Sequence, residues 1–344
     1  MKNTRYYNLF IFISNFIRSI IDVYSVLFLY NKGFSVRNII YIYILIYFMG
    51  VFFSRYSLII GNRIGYKYIF MFSSIATGIS FYVLNNYSNV YLISLVLSLS
   101  IFTYHPIKHY YGIMLLDKNN KIGNSLIIIY LSSFLASFFV IKNISFIYLI
   151  MICIISIIPS IFINKNKYIK ISYDRIPKDK IYFFIMDQTR ILFLLLEPVY
   201  LYMISSSISY VGIFNLIMVV SSVIYMYFIS RWKNISKYFM YINLLLVLVL
   251  LFKINIVNKN ILLILAIFEG ICLKTNEFIS TSNLYDCKKN KLGYLIKSEI
   301  IFCLVRTIIF SIMYLFNISL INMLYILLEG IFILSFCYKK RETL

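Results

Sequence analysis

The sequence predicts an all-α integral membrane protein: twelve transmembrane helices in two six-helix bundles, related by pseudo-two-fold symmetry around a central cavity. Three observations predict it. The 344 residues are 62% hydrophobic and 13% charged, with a mean hydropathy of +0.87. A soluble domain is about 45–50% apolar and about 25% charged. Apolar runs long enough to cross a bilayer recur along the chain, and one long polar stretch, residues 164–180 (NKNKYIKISYDRIPKDK), parts two halves of similar length.

A spanning helix needs about 20 mostly apolar residues. The first half supplies candidates at 6–30, 38–60, 68–84, 90–116, 125–141 and 146–163. The second half supplies 181–204, 210–229, 238–255, 261–282, 294–316 and 319–338. The first run resembles a signal peptide, since Lys2 and Arg5 precede it, but it contains Arg18 and Asp22 and has no small-residue cleavage site, so it reads as a span. The expected domains are therefore a bundle over 1–163, a basic linker over 164–180, and a second bundle with a short tail over 181–344.

Lysine and arginine set the orientation. The N-terminal tail, the loops after even-numbered spans, the linker and the C-terminal tail carry most of them. The opposite side holds only Lys32, Arg37, Lys142, Lys253 and Lys259. Both termini are expected in the cytoplasm, with the chain a multi-pass protein of the cell membrane. A net charge of +21 would point to nucleic acid in a soluble chain; placed in short loops between spans, it reads as topology instead. The five cysteines are scattered without metal-ligand spacing, and no cofactor is expected.

The halves repeat each other. Asn15-x-x-Arg18 matches Asp187-x-x-Arg190, Arg63 and Lys67 match Lys233 and Lys237, and the loop 117–123 matches 286–293. Parallel six-span repeats are a known plan for membrane carriers. The stretch Gly61-Asn62-Arg63-Ile64-Gly65-Tyr66-Lys67 resembles the loop between helices 2 and 3 of the major facilitator superfamily, G-x-x-x-D-R-x-G-R-R/K. Arg63, Gly65 and Lys67 match. Asn62 stands where the family has Asp, and Leu58 where it has its first Gly; an Asn can hydrogen-bond but carries no charge. The resemblance implies that Asn62, Arg63, Gly65 and Lys67 form a cytoplasmic gate loop. Span 5 contains neither residue of the Gly-Pro signature of the drug/proton antiporter branch.

An ionisable group at mid-bilayer costs about 2.5–3.5 kcal/mol on insertion scales, so it must face protein or a wet cavity. Span 1 carries Asn15, Arg18 and Asp22 on one helical face. Span 4 carries His105, Lys108 and His109, span 7 carries Asp187, Arg190 and Glu197, and span 10 carries Glu269, Lys274 and Glu277. Spans 3, 5, 6, 8 and 9 read as free of interior charge, and Lys297 and Glu299 are expected near the cytoplasmic end of span 11. In the superfamily that this chain resembles, helices 1, 4, 7 and 10 line the central cavity.

These groups are expected to form a substrate and proton pathway. Arg18, Arg190 and Lys274 would hold anionic parts of a solute or neutralise carboxylates. Asp22, Glu197, Glu269 and Glu277 are the proton-carrier candidates. His105 and His109 have the i, i+4 spacing of metal ligands, but no third ligand is evident and Lys108 would repel a cation, so they read as polar cavity lining. The expected function is secondary active transport of a small polar or amphipathic solute by alternating access, coupled to protons. The expected partners are the lipid bilayer, the solute and protons, with no nucleic acid, and the chain is expected to be a monomer. Two other classes fit the composition: an integral-membrane polymerase or acyltransferase acting on lipid-linked sugars, and a non-transporting immunity or sensor protein. The former usually needs a sizeable outer loop, and no nucleophile–base pair or nucleotide loop is present.

Overall fold

A computed structural model describes residues 2–115, 119–141, 146–163, 168–173, 176–231, 238–285 and 290–342; the Asp22 side chain is outside the described set. Among the described residues there are twelve helices: α1 (Lys2–Asn31), α2 (Val36–Ile64), α3 (Tyr66–Asn86), α4 (Val90–Leu115), α5 (Asn119–Ile141), α6 (Phe146–Ile161), α7 (Lys178–Ser205), α8 (Ile208–Ile229), α9 (Phe239–Asn255), α10 (Lys259–Tyr285), α11 (Lys291–Leu315) and α12 (Leu320–Glu342). They follow the twelve expected spans in order. Six of them, α1 to α5 and α8, contain stretches long and apolar enough to cross a bilayer by length and composition. The helices α7, α10 and α11 carry the ionisable side chains that dilute their apolar character.

The connections are short because their residues cap the helices that follow. Ser35 Oγ accepts from Asn38 N at the start of α2, and Asn89 Oδ1 accepts from Leu92 N at the start of α4. Ser207, Asn258 and Ser319 do the same for α8, α10 and α12. A helix N-terminus leaves N–H groups without an intrahelical partner, and a side-chain oxygen satisfies one of them. Each of these caps sits before an even-numbered helix.

The outward faces are apolar in a way water would not tolerate. Phe72, Ile75, Ile79 and Tyr82 form an exposed stripe on α3, and Ile147, Met151, Ile154 and Ile158 form another on α6. Contiguous exposed apolar surface of this extent marks a non-aqueous partner. The protein is a multi-pass membrane protein, and these stripes face lipid.

The chain divides into two compact units. One comprises Met1–Leu116, Ile144–Ile176 and Tyr285–Phe316, and so holds α1 to α4, α6 and α11. In it α2 packs on α4 and α11, and α3 packs on α4 and α6. The other comprises Asp117–Asn143, Pro177–Leu284 and Asn317–Leu344, and so holds α5, α7 to α10 and α12. In it α5 lies along α8, and α12 packs on α7 and α9. Small residues let the helices approach. Ser54, Ser73, Ser74, Ser94 and Ser98 are buried in the first unit, and several bond to a carbonyl of their own helix four residues back, as Ser74 does to Phe70 O at 3.2 Å.

Gly270 shows how close the approach is. A Cβ there would strike the backbone carbonyl of Met218 on α8, whereas a Cβ at Gly78 would meet its nearest neighbour, Cys153 Cβ, at an ordinary 3.5 Å. Overpacking a tight contact costs about 1–3 kcal/mol, while replacing a helical glycine by alanine gains up to about 1 kcal/mol. Gly270→Ala is therefore expected to lower the melting temperature of the purified protein, and Gly78→Ala to leave it level or raise it. Equal shifts would contradict the packing described.

Candidate functional site

In the first unit the site is built around Arg18, on α1 and fully buried. Its Nη1 donates to Ser100 O on α4 at 2.7 Å. Its Nη2 donates to Ser73 Oγ at 2.5 Å and Thr77 Oγ1 at 2.8 Å, both on α3. The guanidinium carbon lies 4.0 Å from the centre of the Tyr104 ring. The planar fork thus ties three helices together, which a lysine's point charge could not do. Asn15, one turn earlier, donates to Ser19 Oγ at 3.2 Å. On α4, His105, Lys108 and His109 are half-buried. The ring centres of His105 and His109 are 6.4 Å apart. His109 Nδ1 lies 2.7 Å from Glu299 Oε1 on α11. Glu299, expected near the cytoplasmic end of span 11, is buried against His109. Among the described residues, no group of three or more His, Cys, Asp or Glu is placed to hold a metal ion.

The second unit repeats the arginine device. Arg190, on α7, donates from Nη1 to Leu273 O on α10 at 2.7 Å, as Arg18 does to α4. Here the other nitrogen pairs with Asp187, whose Oδ1 also accepts from Ser280 Oγ at 2.8 Å. The match between Asn15-x-x-Arg18 and Asp187-x-x-Arg190 is thus a match of architecture: an arginine of the first helix in each half grips a backbone carbonyl of the fourth. Further along α10, Lys274 Nζ bonds Glu277 Oε2 at 2.7 Å and lies 4.5 Å from the Tyr130 ring of α5. This pair is part-exposed, at 20% and 31% of the side chains.

One fully buried charge is not legible in the sequence. Lys253 counts by its position as an outer-loop lysine, and α9 as free of interior charge. In the structure it lies in the last turn of α9 and is fully buried. Its ammonium bonds Glu269 Oε2 on α10 at 2.7 Å and also pairs with Glu197 on α7. The Phe214 ring closes one side, 4.7 Å away. Tyr200 OH donates to the carbonyls of Lys253 and Ile254, holding the end of α9. Glu197 and Glu269 are therefore brought together by a third residue. The signal available in the sequence was only that Lys253 falls inside an apolar run rather than beyond it.

The residues of the expected gate loop lie at the joint between α2 and α3. Asn62 and Arg63 belong to the last turn of α2, and Lys67 to the first turn of α3. Gly65 alone joins the two helices, with φ 114°, a value that favours glycine. Asn62 is buried and makes two bonds to one residue of the polar linker: Nδ2 donates to Ile169 O at 2.8 Å, and Oδ1 accepts from Ile169 N at 3.1 Å. An aspartate at this position could accept but not donate. The departure from the superfamily pattern thus matches a backbone partner that needs both.

Two substitutions test this geometry. Arg18→Lys removes the fork, and since hydrogen bonds to charged groups contribute about 1.5–3 kcal/mol, the melting temperature should fall markedly. An unchanged value would mean that the bonds to α3 and α4 carry no stability. Asn62→Asp forfeits the bond to Ile169 O and should speed tryptic cleavage after Lys170. Equal cleavage rates would show that Asn62 does not hold the linker.

No family model matches the chain, and no curated protein matches it in sequence. Solved structures do. A bacterial homologue of the iron transporter ferroportin, in an outward-facing state, superposes with a TM-score of 0.68 at 12% identity, covering 100% of both chains. The nucleoside transporter NupG superposes with a TM-score of 0.68 at 14% identity, covering 99% of each chain. From end to end, the chain has the twelve-helix, major-facilitator type of fold that these solved transporters have.

Proposed function

We propose that the protein is a member of the major facilitator superfamily and a secondary active transporter, moving a small polar or amphipathic solute by alternating access coupled to protons. The observation that carries the reading is ionisable side chains held inside the helices of a carrier fold. Buried ion pairs stabilise poorly beside well-packed apolar residues, so their retention at Arg190, Glu197, Lys253 and Glu269 calls for a use. In this reading the sequence halves 1–163 and 181–344 rock against each other, joined by 164–180. The α2–α11 and α5–α8 pairs, each formed by helices from different halves, are the seams along which they slide. Both termini lie in the cytoplasm, and Asn62 holds the linker on that side.

The pathway residues of this reading fall in two sets, Asn15, Arg18, His105, Lys108 and His109 in the first half, and Asp187, Arg190, Glu197, Glu269, Lys274 and Glu277 in the second. Arg18 and Arg190 are engaged with backbone carbonyls and position their helices. Lys274, part-exposed and paired with its helical neighbour Glu277, is the cation placed to exchange that carboxylate for an anionic part of the solute. The exchange would free Glu277 to take a proton.

The test is flux in proteoliposomes with an imposed pH gradient, across a panel of polar and amphipathic solutes. Gradient-dependent uptake or efflux is expected for at least one solute. Lys274→Gln should lower it by about 10–100-fold, the equivalent of one charge-assisted hydrogen bond. A panel with no gradient-dependent movement would count against the reading.

A further inference from the structure

We propose that Glu197, Lys253 and Glu269 form a site that stores a single proton between two carboxyl groups. It deepens the proton-coupled reading above. Its test reads proton binding rather than solute movement, so the two can fail separately.

Three helices deliver the components: Glu197 from α7, Lys253 from α9 and Glu269 from α10. The ammonium is 0% exposed and touches both carboxyl groups. Glu269 is also 0% exposed, and its second oxygen, Oε1, has no hydrogen-bond partner. With both glutamates ionised the cluster would hold one uncompensated negative charge among Phe193, Phe214 and other apolar side chains. One proton removes that charge, and either glutamate can carry it while the other stays paired with the ammonium. The ammonium already fills the position a sodium ion would need, so the ligand is a proton. Tyr200 on α7, Cys272 one turn along α10, and Tyr325 of α12, whose hydroxyl bonds Asn255 Oδ1 at 2.9 Å, are uncharged in their ordinary forms, and Arg190, seven residues back on α7, is paired with Asp187. None of them supplies the missing charge. Losing the proton restores the bare negative charge, so release favours a state in which water reaches the cluster.

The experiment is infrared difference spectroscopy of the full chain in lipid nanodiscs, titrated with pH, reading the carbonyl stretch of protonated carboxylic acid. Wild type minus Glu197→Gln and wild type minus Glu269→Gln should each show the loss of one acid band. A single glutamine leaves one carboxylate to pair with Lys253 and no proton to store. Lys253→Met, which removes the ammonium, should leave both carboxyls protonated and double that band. The proposal is overturned if neither glutamine variant loses an acid band, or if only one does, since the proton would then belong to a single carboxyl. An unchanged band in folded Lys253→Met would overturn it too. Should that variant fail to fold, the near-isosteric glutamine pair decides alone.

Discussion

Hydrocarbon offers no hydrogen bonds, and that constraint governs every part of this structure. A polar atom inside a spanning helix must find its partner within the protein. Serines turn back on their own helix, as Ser74 does, or bridge helices, as Ser156 does to Ser74 Oγ at 2.8 Å. Asn276 on α10 reaches Asn243 on α9 at 2.9 Å, and Asn215 on α8 reaches Ser137 on α5 at 2.6 Å. The same pressure decides where charges lie: Arg18 against hydroxyls and carbonyls, Arg190 against Asp187, and Lys253 between two glutamates.

The two arginine arrays show one device adapted twice. Each anchors a first helix to the backbone of a fourth. In the first half the remaining nitrogen meets neutral hydroxyls of α3, and in the second it meets a carboxylate. The carboxylates gathered in the helices of the second half, Asp187, Glu197, Glu269 and Glu277, thus sit on a frame like that of the first. A frame that holds its helices with the same grip in both halves leaves the chemistry around it free to diverge.

Hydropathy and loop charge revealed the twelve helices, because length and apolarity are properties of a local window. The pairing of Asn15-x-x-Arg18 with Asp187-x-x-Arg190 was legible too, since both arginines stand out in apolar runs. Depth and azimuth were not. Lys253 is two residues from the end of its helix, and nothing local distinguishes a lysine that reaches outward from one that turns inward to Glu269. The partner of Glu299 was hidden for the same reason: His109 is 190 residues away in sequence. The serines around Arg18 passed unnoticed because a hydroxyl barely changes the hydropathy of a span. Asn62 looked like a weakened version of a charged loop until Ile169, a residue of the linker, came to lie against it.

The joint between α2 and α3 has a mechanical consequence. With Gly65 as the whole connection, the two helices cannot slip lengthwise past each other. The first, α2, is tethered beside the joint by the Asn62–Ile169 bonds, and α3 carries Ser73 and Thr77, which grip Arg18. A tug on the linker would therefore arrive at the buried guanidinium with little slack, as force through a bell crank.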